Sequence, residues 1–569
     1  MRKVVIALGA LLVLSTSVYA HADIAQIGDP GRSWAIPNDA ALGEHIQQFI
    51  DSEPNEIPSV MLDSSKLSDK TQNPTCSGPH DSHCTTADVG YTADIPRCQS
   101  DSDVNCTSDF GTIDASGTKT SAVFTRYFPN HATNEFTGDP QLNVPSGVAG
   151  SIYSMPQSPH AGGQSYYLQV IMSGALNADG SSQTPSLDVQ MSPVKIETSN
   201  YFTATNQPNA PDAGWIQYAD PSSGVLKWGG QASGFSGDQF CVASSAKERL
   251  CAEKYAFPAN TRYYVSLRLT QLPTGWMHGR IDNPDISVTT GRRFSTLQIT
   301  GDPVAVPVVY KMYHYVDMPA ALKDMYDVQK GGYKPVCGPE QTVCAGGRSG
   351  PSPDPLQRNV IISPSPSSAD GMDQLKLWLP YVNNTATALP SFWSARTLSR
   401  GEMNGANNCF VDNSKISGIV TTNSTQYSSG PPTFDRGSGT LNYQVASPHY
   451  GTTGDVFKGS YDLVIRSDVA RCIYGFSKAP ISATVSVTSA DGSPEVATTV
   501  VGEKDGWLYL QAKNFEFSAP TIQVKLSQAG TSASTQAKTS SKSKTITCVK
   551  GKVIKQVSAV TCPTGYKKR

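Results

Sequence analysis

Four residues with metal-ligand chemistry, Cys76, His80, His83 and Cys84, lie within nine positions of one another. Thiolates and imidazoles are the usual donors of a tetrahedral zinc site. The adjacent His83-Cys84 pair cannot easily bring both donors to one ion, so the spacing favours a disulfide flanked by surface histidines, with no metal. Asp101, Asp103, Asn105 and Asp109 offer hard oxygen ligands at the spacing of a calcium loop, but Cys106 stands where that loop needs its glycine turn and no Glu closes it. A solvated polar loop is the expectation there. Trp276, His278 and Arg280 follow Pro273 and Gly275 and are expected just past a strand, where aromatic and donor side chains on a loop can recognise a sugar ring. Packing along a strand would give the same trio. Trp228, between Lys227 and Gly229, has the same two readings.

Nucleophilic and cofactor chemistry leave little trace. Gly234-Phe235-Ser236-Gly237 lacks the Gly-x-Ser-x-Gly spacing of a strained nucleophile turn. The phosphate-cradling loop, the His-Glu-x-x-His zinc site and the dinucleotide fingerprint are missing from the sequence. No cofactor is expected. Glycosidase carboxylates can come from distant strands without a local signature, so that class stays open.

The cysteines imply a different chemistry. Ten of the twelve can pair with a near neighbour, Cys76 with Cys84, Cys98 with Cys106, Cys241 with Cys251, Cys337 with Cys344 and Cys548 with Cys562, which leaves Cys409 for the distant Cys472. An even cysteine count suits an oxidising compartment, although sequence cannot fix connectivity. The start of the chain agrees: Arg2 and Lys3, an apolar run from Val4 to Leu14, then small residues to Ala20-His21-Ala22 follow the order of a secretory signal peptide. Cleavage is placed after Ala22, with Ala20 as the competing site. No later apolar run is long enough to span a membrane as a helix. Removing residues 1–22 changes the formal charge from −2 to −4, a balance that argues against nucleic acid as partner.

The elements that must position these residues read as mainly β. Asn38 is expected to cap a docking helix with Leu42, Ile46, Phe49 and Ile50 on one face, and residues 70–118, poor in apolar side chains, read as an irregular disulfide-stapled excursion. Period-two alternation begins near Ala122. It is clearest where Tyr263, Val265, Leu267 and Leu269 alternate with Arg262, Tyr264, Ser266 and Arg268, and recurs at Leu187, Val189 and Met191. Asp317 and Pro319 mark a short helix carrying Leu322, Met325 and Tyr326. Further strands follow at Ile481–Val487 and Ile522–Leu526, with Asp491-Gly492 and Asp505-Gly506 as hairpin turns.

The expected layout is a signal peptide (1–22), an N-terminal helix and Cys-rich irregular region (23–121), a β-sandwich (122–345), a Pro/Ser-rich linker (346–371) and an immunoglobulin-like β-sandwich (372–528). The first sandwich is immunoglobulin-like or jelly-roll-like. A flexible Ser/Thr/Lys tether (529–545) and a basic disulfide hairpin (546–569) complete the chain. The hairpin carries Lys550, Lys552, Lys555, Lys567, Lys568 and Arg569 and no acid.

The terminal ITCVKGKVIKQVSAVTCPTGYKKR resembles a small module that ends many secreted proteins of actinobacteria. SDVARCIYGFSKAPISATVSV, EKDGWLYLQAKNFEFSAPTIQVKL and GWMHGRIDNPDIS resemble segments of large exported proteins from that group. The resemblance implies export and surface association and carries no catalytic residue. The functional expectation is a secreted, non-enzymatic protein of the cell surface, serving adhesion or envelope structure, with the basic tail near anionic wall polymers or glycans. A carbohydrate-binding protein or glycosidase and a surface-layer or filament subunit are the alternatives.

Overall fold

The computed structural model describes residues 43–51, 57–67, 72–198, 241–326, 360–411, 415–478, 481–488, 500–517 and 521–528, with shorter pieces at 214–219, 226–231, 343–344, 347–348, 356, 494–495, 546–550, 553–557, 564 and 567–568. The fold is mainly β, with 52% strand against 10% helix, in sheets arranged like sandwiches. The signal peptide, the tether, the Asp491-Gly492 turn, the helix cap at Asn38 and the Gly234–Gly237 segment lie outside the described residues. Among the described residues, no helix is long and apolar enough to cross a membrane.

Strand Gly275–Thr290 organises the architecture. Its first half lies between Ser391–Thr397, antiparallel, and Ile416–Thr422, parallel. Its second half pairs antiparallel with Ser295–Ala305, whose neighbour is Arg262–Leu269 and then Cys106–Ile113. The strand therefore turns a corner between two sheets, with a register shift between Asp282 and Asp285 at the bend. An extra residue in a ladder bends a strand and tightens its twist.

The first sheet runs from Val89–Asp94 through Ser165–Ala175, Ser186–Thr198, Ser391–Thr397, Gly275–Thr290, Ile416–Thr422 and Lys458–Arg466 to Trp507–Glu516. Alternate side chains of its later strands enter different cores. Met277, Ile419, Val464 and Trp507 pack with Tyr263, Val265 and Leu267 of the facing sheet. Trp276, Val420, Leu463 and Leu508 pack with Leu441, Val485 and Val524. That second core is closed by Thr440–Ala446, Thr521–Gln528 and Ile481–Thr488. One sheet thus serves two sandwiches, and its strands are apolar on both faces because both faces are dry.

This corrects the expected separation into two sandwiches across a linker at 346–371. The strands before and after that stretch are hydrogen-bonded to each other, and Val360–Ile362 within it pairs parallel with Glu44–Phe49. The N-terminal docking helix is also corrected. Glu44–Phe49 is a strand, paired on its other edge with Val309–His314. Ile46 and Phe49 are buried, but so are His45 and Gln47. Tertiary pairing on both edges overrides a helical spacing carried by only four side chains. The irregular excursion is corrected in turn: Val89–Asp94 and Cys106–Ile113 are sheet strands, and Tyr91, Ala93, Ile95 and Phe110 belong to the first core.

Other local expectations match the structure. Tyr263, Val265, Leu267 and Leu269 are fully buried, as are Leu187, Val189 and Met191. Asp505 (φ 51°) and Gly506 (φ 81°) form a left-handed two-residue turn between Val500–Lys504 and Trp507–Glu516. A single helical turn does follow at Ala320–Lys323 with Leu322 buried, but its N-cap is Pro319 and not the expected Asp317, which ends a separate 3-10 turn, Tyr315–Asp317. Cys76–Cys84, Cys98–Cys106, Cys241–Cys251 and Cys409–Cys472 are disulfides, the first three as their close spacing suggests and the last as the pair left over. Cys337 and Cys562 lie outside the described residues.

Candidate functional site

The bonded sulfurs of Cys76 and Cys84 leave no thiolate pair for a metal. His80 meets Asp139 at 2.7 Å and His83 meets Asp81 at 2.5 Å. The suspected calcium ligands point in different directions. Asp103 accepts the Gln99 and Ser100 N–H groups, Asn105 accepts from Thr270, and Asp109 accepts from the Tyr264 hydroxyl. They build a turn and cross-sheet contacts in place of a cation cage.

Trp276, His278 and Arg280 do not stand on a loop. They occupy alternate positions of the corner strand and are 1%, 4% and 3% exposed. Period-two geometry sends all three toward the second core, and it sends Asp282 to the same face. Gly418 makes room for the first of them: a Cβ there would come within 2.6 Å of the Trp276 ring. Trp276 then packs edge-on against Phe410. Trp228 lies in strand Leu226–Gln231, and its side chain is outside the described residues.

The row becomes polar beyond Trp276. The His278 ring stacks on Tyr427 at 3.9 Å, and the Arg280 guanidinium sits 4.7 Å from the same ring. Arg280 pairs with Asp51 through Nε and donates from Nη1 to the Thr422 carbonyl at 2.8 Å. Its Nη2 and the His278 Nε2 are buried without a hydrogen-bond partner. Burial, with the charges of Arg280 and Arg396, lowers the His278 pKa well below its ordinary value, so the ring is neutral. Burial, with Asp51 nearby, raises the Tyr427 phenol. Arg396, on the neighbouring strand, makes a two-pronged pair with Glu402 at 2.7 and 2.9 Å. Burial pulls the Glu402 carboxyl upward, but the Arg396 bond and charge outweigh it and hold the pKa at about 2.

Asp51, Arg396 and Tyr427 open onto a cleft of about 310 Å³, walled on its other side by Ser363, Pro364, Ser365 and Pro366. An acid, a base, a phenol and two serines give it the donors and acceptors for a polar ligand, with no pair of facing carboxylates.

The far end of the row is ionic. Lys513 bridges Asp282 and Asp462, the latter at 2.6 Å. Around them Asn283 donates to Asp302 at 2.8 Å, Gln511 donates to Asn283 at 3.0 Å and the Tyr509 hydroxyl donates to Asp285 at 2.8 Å. No family model, no curated protein and no solved structure matches the chain. Asp51, Tyr427, Arg396, Asp282, Asp462 and Lys513 were not legible as site residues. A signal for Asp282 existed in the alternation through Trp276, His278 and Arg280. Asp282-Asn283-Pro284-Asp285, a turn-like tetrapeptide inside a strand, marked the bulge.

Proposed function

We propose that this chain is an exported, non-enzymatic protein of the bacterial cell surface, held to anionic envelope polymers by its basic C-terminal module. The supporting observation is the register of that module. Ile546–Lys550 is the middle strand of three, flanked antiparallel by Val553–Val557 and Lys567–Lys568. Lys555 and Lys568 both stand opposite Cys548, and Lys550 lies two positions along, so these three lysines occupy register positions of one sheet face. Lys550 and Lys567 are exposed. Lys552, Arg569 and Cys562 lie outside the described residues. Clustered positive charge on a small module concentrates polyanions electrostatically. The four disulfides and the signal-like leader fit an extracellular location.

The test is retention on isolated cell walls. The full mature chain binds at low ionic strength and elutes with added salt, while a chain ending at Gln528 flows through. The described strands of the module pair only with one another, so the truncation removes no ladder from the remaining sheets. Equal retention of both chains, or retention indifferent to salt, overturns the proposal.

A second reading, carbohydrate binding, is favoured by the cleft beside Asp51, Arg396 and Tyr427, whose mixed donors and acceptors suit a hydroxyl-rich ligand. A glycan array run with wild type and Tyr427→Ala decides it. Binding lost in the variant supports the reading, and no glycan bound by wild type removes it.

A further inference from the structure

Lys513, Asp282 and Asp462 come from three different strands, Trp507–Glu516, the corner strand and Lys458–Arg466. The Lys513 side chain is 19% exposed, Asp282 28% and Asp462 only 1%. Its ammonium group contacts Asp282 directly and lies 2.6 Å from Asp462 Oδ2. Asp462 also accepts from the Asn283 N–H at 3.3 Å and from the Thr421 hydroxyl at 3.4 Å, both on Oδ2, while its Oδ1 is buried with no hydrogen-bond partner. The Lys458–Glu516 pair, by comparison, is 46% and 41% exposed.

We propose that Lys513 and Asp282 condense, after folding, into an intramolecular amide, with Asp462 moving the protons. The Lys513 ammonium gives a proton to Asp462, and the free amine attacks Cγ of Asp282. Asp462 passes that proton, and then the second proton shed by the nitrogen after attack, to the departing oxygen, which leaves as water while the nitrogen keeps one N–H. One C–N bond forms, one C–O bond breaks and one water leaves. Two opposite charges disappear, nothing is oxidised or reduced, and no co-reactant is needed. The fold supplies what the reaction lacks in open water. It holds amine and carboxyl in contact, which converts a bimolecular step into an intramolecular one. It also removes much of the hydration that stabilises the separate ions. Asp462 suits the shuttle, because burial raises its pKa above the ordinary carboxylate range, Asp282 repels its charge and Lys513 only partly opposes this.

The bond would join residues 231 positions apart. It would clamp the corner strand, at its bulge, to Trp507–Glu516, a strand with which it makes no ladder. A covalent tie at that point would hold the shared sheet to its corner under pulling force, whatever polymer the tail binds.

The experiment is the intact mass of the secreted, fully reduced chain. The proposal expects the sequence mass less one water, with tryptic peptides containing Lys513 and Asp282 joined after reduction. Asp462→Asn, recovered folded, is expected at the full sequence mass, as is Asp282→Ala. A wild-type chain at full mass overturns the proposal without reference to any variant. So does a missing water that maps elsewhere or persists in Asp282→Ala.

Discussion

Asp94 makes folding stability fall as pH rises from the ordinary carboxylate range to about 7. It is 1% exposed, at the end of the strand Val89–Asp94, where its carboxylate accepts the Val170 N–H at 3.1 Å and Gln169 Nε2 at 3.3 Å. Burial raises its pKa from 3.8 to about 7, against the pull of those two hydrogen bonds. Between these values the folded chain holds a proton that the unfolded chain has released. Stability contributed by this group is therefore complete below the unfolded pKa and lost as pH climbs to the folded one. Three pKa units at about 1.4 kcal/mol each give a loss of about 4 kcal/mol across the window. Asp94→Asn keeps an oxygen for the Val170 N–H but cannot ionise. The measurement is urea unfolding of both proteins from about pH 4 to about pH 8. Other titrating groups, including Glu402 and His278, cancel in the difference. Wild type is expected to lose about 4 kcal/mol relative to the variant over that range. Parallel profiles would refute the reasoning, because they would mean that Asp94 ionises without penalty.

Arg280→Met, which strands Asp51 and opens the stack on Tyr427, is expected to cost about 3 kcal/mol, at the low end for a buried pair because Asp51 keeps 19% exposure. Adding Asp51→Asn should recover part of that loss in a double-mutant cycle, and strictly additive values would show that the pair is not coupled. Replacing both Cys409 and Cys472 by Ser opens a loop of 63 residues and is expected to cost about 4 kcal/mol, against about 2.5 kcal/mol for the 8-residue Cys98–Cys106 loop. Calorimetric midpoints compared under matched conditions check that order, and a larger effect from the short loop would contradict the chain-entropy account. Loss of salt-sensitive wall retention on truncation at Gln528 and loss of one water in wild type alone complete the predictions.

What the sequence determined by itself was local. Alternation at Tyr263–Leu269 and Leu187–Met191 wrote the strands, because successive side chains of a strand point to opposite faces, but burial of Tyr264 and Ser266 on the second face came from tertiary packing. Asp505-Gly506 wrote its turn, because both positions need positive φ. Near-neighbour cysteines anticipated three of the four described disulfides, since short loops bring their ends together at little entropic cost, and Cys409–Cys472 followed by elimination.

Tertiary structure decided the rest. Glu44–Phe49 became a strand because partners some 270 and 315 residues later were waiting on its two edges. Val89–Asp94, poor in bulky side chains, became core because a whole sheet lay over it. The two sandwiches became one shared sheet because Gly275–Thr290 pairs forward with Ile416–Thr422, and no local pattern announces which strand a distant edge will choose. Asp282, Asp462 and Lys513 meet for the same reason. Each is an ordinary charged residue in its own segment, and their chemistry exists only where three strands converge at one bulge.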